Sequence, residues 1–133
     1  NAIEKSDGSC MIVVMTDAPL DARQLERLAK RAMLGLAKTG GIASNGSGDY
    51  VIAVSTAENM RIKNQSNQTT TGGNPLRNDE MSPLFMAAIE ATEEAIVNSL
   101  FAAQDMTGRA GNTRYALPRA KVLELLKKYG VID

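Results

Sequence analysis

The sequence predicts an α/β domain, on three observations. Two short apolar runs are bounded by turn residues, an amphipathic helical pattern lies between them, and two more helical stretches follow. Both runs are almost continuously apolar, which is the pattern of strands covered on both faces. Two such strands with helices on their faces need more sheet than they supply, because a bare two-stranded pairing is marginal in water. A partner segment is therefore expected.

The first run is Cys10, Met11, Ile12, Val13, Val14 and Met15, with Asp7-Gly8 before it and Asp17-Ala18-Pro19 after it. Asp21 then stands as N-cap with Gln24 at the third helical position. Leu25, Leu28, Ala29, Ala32 and Leu36 recur at helical spacing until Gly40-Gly41 ends the helix. A Gly- and Ser-rich loop leads to the second run, residues 50–55, where Tyr50, Ile52 and Val54 interleave with Val51, Ala53 and Ser55. Residues 61–80, "RIKNQSNQTTTGGNPLRNDE", read as a long polar loop, and loops of that length are usually functional or disordered. Ser82-Pro83 supplies an N-cap and first position for a helix that carries Leu84, Ala88, Ile89, Thr92, Ala95, Ile96, Ser99 and Leu100 along one face. A second glycine-bearing loop, "DMTGRAGNTRYALP", with short strands expected around residues 112–116, leads to Pro118 at the first position of a last helix. That helix bears Val122, Leu125, Leu126 and Tyr129 and is closed by Gly130.

The 133 residues suffice for a single core, and 15 Lys and Arg balance 15 Asp and Glu. A net charge of zero gives no electrostatic pull toward nucleic acid or an anionic membrane surface. No apolar run nears the ~18 residues of a membrane span, and no signal segment opens the sequence, so the reading is a soluble protein, cytoplasmic unless a signal lies upstream. The single cysteine, Cys10, forms no internal disulfide, and without histidine there is no cluster for a zinc site, so neither metal nor cofactor is expected. Two sequons, Asn64-Gln65-Ser66 and Asn67-Gln68-Thr69, read as chance matches, and Asn1-Ala2 reads as a tag remnant.

Ser9 stands at the mouth of the first strand, in a sequence with no histidine to activate it. A Ser-His-Asp triad cannot be assembled from these residues. Three bases remain: one from another segment, a Lys, or the α-amino group of Ser9 itself once the Gly8-Ser9 bond is cut. A free α-amine titrates at roughly 7.7 to 8.0, close to working pH, and needs no neighbour to tune it. Gly8 suits such a cut because it leaves its carbonyl open to attack. By residue type alone, however, the preferred readings are a simple turn for Asp7-Gly8-Ser9, a solvated loop residue for Ser47 and a strand-entry Asx turn for Asp49. Cys10 reads as a buried small hydrophobe.

The stretch "GSCMIVVMTDAPLDARQLERLAKRAMLGLAKTGG", followed by "SNGSGDYVIAVSTAEN", resembles the β subunit of the DmpA-like aminopeptidases. These are the L-aminopeptidase/D-esterases and β-peptidyl aminopeptidases. The tail "MTGRAGNTRYALPRAKVLELL" resembles that family's C-terminal segment. The most specific pieces are the Gly-Ser pair, "TDAPL", and "SNGSGDY" downstream.

The resemblance implies a four-layer α/β/β/α sandwich shared between an upstream α segment and this β segment. Residues 1–8 would be the tail of the α segment and 9–133 the catalytic β segment. The precursor would cut itself between Gly8 and Ser9, leaving Ser9 as an N-terminal nucleophile, with Ser47 and Asp49 from "NGSGDY" completing the site. Its implied activity is aminopeptidase hydrolysis of small peptides, amides or esters through an acyl-enzyme. Oxyanion donors and much of the substrate pocket would come from the α segment, and αβ units would assemble into a homo-oligomer. A chain intact through Gly8-Ser9 would be inactive, since Ser9 then has no free amine.

Three other readings compete with this one. One is a non-catalytic binding or assembly module of the same fold. Another is an acyl transferase like the ornithine acetyltransferases, which share the fold and self-cleavage but use threonine, so Ser9 favours the hydrolase. The last is a phosphate loop in "GGIASNGSGD", which fails because it precedes a strand and matches no phosphate-loop spacing.

Overall fold

A computed structural model describes residues 8–62, 64 and 73–133. The suggested tag remnant, the tail before Gly8, residues 63 and 65–72 of the polar loop and all but Asn64 of the two sequons lie outside the described residues.

The chain opens with a β-α-β unit. Strand β1 (Met11–Thr16) pairs in parallel with β2 (Tyr50–Ser55), and helix α1 (Ala22–Lys38) makes the crossover that a parallel pair requires. Met11 stands opposite Tyr50 and Thr16 opposite Ser55, with no slip between. The predicted cap of α1 is formed in full. Asp21 Oδ1 accepts from the Gln24 amide at 2.7 Å, and Gln24 Oε1 accepts from the Asp21 amide at 3.0 Å. Gln24 is buried, and its remaining Nε2 donor is satisfied by the Leu76 carbonyl at 2.5 Å.

Helix α2 (Met81–Ala102) follows a single 3₁₀ turn, Asn78–Glu80, that runs straight into it. The helix thus begins before the expected cap, and Ser82-Pro83 lies in its first turn, where the missing amide of Pro83 costs nothing. Leu20, Leu28, Met81 and Ala88 form the buried core, with Val14, Leu25, Leu84 and Phe85 packed against it. Gly35 of α1 meets α2 so closely that a Cβ there would stand 2.6 Å from the Ile89 carbonyl oxygen and 2.7 Å from Thr92 Cβ. Only a residue without a side chain lets the two helices approach this far.

The chain divides into a first unit through Glu93 and a second from Glu94 onward. In the second, β3 (Met106–Thr107) and β4 (Thr113–Arg114) form a short antiparallel pair around a turn in which Ala110 and Gly111 have φ of 60° and 75°. Helix α3 (Arg119–Lys128) is capped by Pro118, which stands one position earlier than expected, and the chain turns at Gly130 with φ 65°. Val122 and Leu126 are half-buried, whereas Leu125 and Tyr129 of the expected apolar face are exposed.

The two faces of the sheet differ. The strands are covered on one face only: Ile12, Val14 and their β2 counterparts face α1 and the core, and Met11, Val13, Met15, Tyr50, Ile52 and Val54 face outward. Near-continuous apolar sequence reports what both faces are made of. It does not report that both covers belong to one segment.

Candidate active site

The site follows from the register of the parallel pair. Carried back from Met11 opposite Tyr50, the register sets Cys10 beside Asp49 at the first step and Ser9 beside Gly48 at the second. The Tyr50 amide still donates to the Cys10 carbonyl at 3.0 Å. At the next rung a side chain takes over, and the Cys10 amide donates to Asp49 Oδ1 at 2.8 Å. Asp49 therefore acts across the sheet, to a residue 39 positions away, and not as a local Asx turn.

Its second oxygen faces Ser47. Ser47 Oγ lies 2.6 Å from Asp49 Oδ2 and 2.8 Å from the carbonyl oxygen of Gly8. A hydroxyl carries a single proton, so Ser47 donates to one of these oxygens at a time. Ser9 Oγ accepts from the Gly48 amide at 3.0 Å. The loop that delivers these groups is set by a turn in which the Ser47 amide donates to the Ser44 carbonyl at 2.9 Å.

Gly8 and Ser9 are exposed, whereas Cys10, Ser47, Gly48 and Asp49 are half-buried. The Gly8-Ser9 peptide bond is thus open to solvent while the groups around it are held. Two short stretches, 8–10 and 47–49, are joined at the N-terminal ends of two adjacent strands: Ser47 bridges Gly8 and Asp49, Asp49 holds the Cys10 amide, and Ser9 meets Gly48. The arrangement presents a hydroxyl next to the carbonyl that precedes it, a second hydroxyl hydrogen-bonded to that carbonyl's oxygen, and a carboxylate behind the second hydroxyl.

Among the described residues the Gly48 amide is the polar contact to Ser9 Oγ, and sequence reasoning missed it. No side chain marks it: the residue is a glycine between two candidate site residues, and its place beside the serine comes only from the parallel register carried back from Met11 and Tyr50. Cys10 is half-buried and contributes its backbone amide.

The family model of peptidase family S58 matches residues 1–114. The chain belongs to peptidase family S58.

Relatives within reach of this S58 chain are aminopeptidases. It is 44% identical over 134 residues to the β-peptidyl aminopeptidase BapA of Sphingosinicella microcystinivorans, covering 97% of this chain and 32% of that protein. It is 36% identical over 119 residues to the BapA of Sphingosinicella xenopeptidilytica, covering 90% and 29%. Among solved structures, the L-aminopeptidase D-Ala-esterase/amidase of Ochrobactrum anthropi superposes with a TM-score of 0.77 at 33% identity, covering 89% of this chain and 33% of that one. That enzyme is described as a prototype of the serine aminopeptidases and a variant of the Ntn-hydrolase fold. A Burkholderia β-aminopeptidase gives a TM-score of 0.67 at 38% identity, covering 87% and 34%. The S58 chain spans about a third of the length of the relatives it matches.

Proposed function

We propose that Ser9 is the nucleophile of a self-processing N-terminal serine aminopeptidase, and that the Gly8-Ser9 bond is its first substrate. The observation that carries this reading is the hydrogen-bond distance of 2.8 Å between Ser47 Oγ and the Gly8 carbonyl oxygen. That carbonyl is the one Ser9 would attack.

Attack of Ser9 Oγ on the Gly8 carbonyl carbon puts negative charge on the carbonyl oxygen, and Ser47 is placed to donate its proton there instead of to Asp49. The Oγ proton passes to the Ser9 nitrogen as the C–N bond breaks, which leaves an ester at Oγ and a free α-amine. Water then hydrolyses the ester and releases the Gly8 carboxylate. In the mature enzyme the α-amine accepts the Oγ proton as Ser9 attacks a substrate carbonyl. The leaving amine takes that proton, and water resolves the acyl-enzyme. Asp49 stabilises the ammonium form that appears in between. Small peptides, amides and esters with a free N-terminus are the proposed substrates, a class supported by the aminopeptidases to which the chain is similar.

The complete fold in this proposal is a four-layer α/β/β/α sandwich, in which an upstream α segment lays a second sheet on the exposed apolar face of β1 and β2. A soluble chain rarely leaves so contiguous an apolar patch open. The αβ units are proposed to associate into a homo-oligomer. While the peptide bond before Ser9 is intact, its nitrogen is an amide and not a base, so the unprocessed chain is expected to be inactive.

The test is release of p-nitroaniline from amino-acyl p-nitroanilides by the full-length product. Turnover that disappears in Ser9→Ala supports the reading, and turnover that survives that change removes it.

A further inference from the structure

The proposed function employs Ser9, Ser47 and Asp49 and leaves Gly48, between the last two, without a role. Its amide donates to Ser9 Oγ at 3.0 Å. A Cβ built on Gly48 would stand 3.2 Å from that same oxygen, 3.8 Å from Ser9 Cβ and 3.6 Å from the Tyr50 ring. Gly48 does not adopt the left-handed conformation, unlike Gly40, Gly111 and Gly130. Backbone conformation therefore does not call for glycine at this position; what a side chain would disturb is the serine hydroxyl, which a Cβ would press by a few tenths of an ångström.

We infer that Gly48 is a positioning residue for the nucleophile, its amide holding one lone pair of Ser9 Oγ and its missing side chain letting that amide come close. This rests on the reading of Ser9 as nucleophile. With one lone pair held, the O–H bond and the second lone pair of Oγ are left for the base and for attack. As the Oγ proton passes to the α-amine, negative charge rises on Oγ and the contact becomes a charge-assisted hydrogen bond. When the bond from Oγ to the acyl carbon forms, the charge moves to the substrate's carbonyl oxygen and the contact weakens. When water attacks the acyl-enzyme and that bond breaks, charge returns to Oγ until it is reprotonated. One backbone amide thus assists both half-reactions.

Two changes in the full-length product separate the donor from the space. Replacing residue 48 by glycolic acid turns the amide into an ester, which removes the N–H and adds no atom at Cα. Gly48→Ala keeps the N–H and adds the Cβ. The ester variant is expected to lose about tenfold or more in kcat, with KM and melting temperature near wild type. Gly48→Ala is expected to lower kcat as well, by displacing the hydroxyl, and to slow the reaction of Ser9 with a sulfonyl fluoride. Wild-type kcat in the ester variant, or a kcat loss matched by a fall in melting temperature, overturns the inference while Ser9-dependent turnover leaves the proposed function standing. Absence of Ser9-dependent turnover in the wild type overturns both.

Discussion

Ser47 has one proton and two acceptors, at 2.6 and 2.8 Å, and that imbalance makes separable predictions for its neighbours. Ser47→Ala removes the donor to the Gly8 carbonyl and should slow scission by about a hundredfold, the scale seen when an oxyanion donor is lost. The time course of the precursor band on a denaturing gel measures it. Asp49→Asn keeps an oxygen able to accept from the Cys10 amide but removes the negative charge. A carboxylate near an amine favours the ammonium form and so raises the amine's pKa; without it, the pKa falls. The acid limb of the kcat/KM profile reports the deprotonation of that amine and should move to lower pH in Asp49→Asn, with a lower plateau. A lower plateau with an unmoved limb would mean that Asp49 does not sense the base. Ser9, Ser47 and Asp49 were readable as candidates only through the resemblance carried by the Gly-Ser pair and "NGSGDY", since by residue type alone each reads as a turn or loop residue. Gly48 was not, since a backbone amide is the same at every residue and only the register shows which oxygen it meets.

Helices α1 and α2 hold the first unit together through a glycine, and two opposing effects decide what a methyl group would do there. Gly35→Ala gains about 1 kcal/mol in helix propensity. It also sets a Cβ 2.6 Å from a backbone oxygen that cannot rotate away. Overpacking costs about 1–3 kcal/mol and more where backbone must shift, so the net effect should be destabilising by about 1–2 kcal/mol, seen as a lower urea midpoint. The elements themselves were well marked. The Asp21-Gln24 capping box and the Gly40 stop bound α1 as expected, because caps are local chemistry. The start of α2 was missed because the 3₁₀ turn at Asn78–Glu80 continues into it, and no cap residue announces such a start. The half-open sheet is in keeping with the expected partner segment: apolar strand residues state that a cover exists and say nothing of which segment provides it.

At the scale of the whole molecule, the exposed sheet face sets the relation of this chain to the rest of the proposed enzyme. Met11 and Met15 are 64% and 69% exposed on that face. If a second sheet covers it, both methionines should resist peroxide in the full-length product and oxidise readily when this chain is expressed alone, as peptide mass spectrometry would show. Equal oxidation in the two would leave the face uncovered and remove the sandwich. The same dependence on an upstream segment explains why scission and turnover belong to experiments on the full-length product. The central claim is that the peptide bond before Ser9 is cut to release its amine, and intact-mass measurement of that product after purification tests it most directly. The account predicts two fragments in the wild type, the smaller beginning at Ser9, and a single uncut chain in Ser9→Ala. A wild-type chain that stays whole while it releases p-nitroaniline, or a fragment that begins elsewhere, would contradict it.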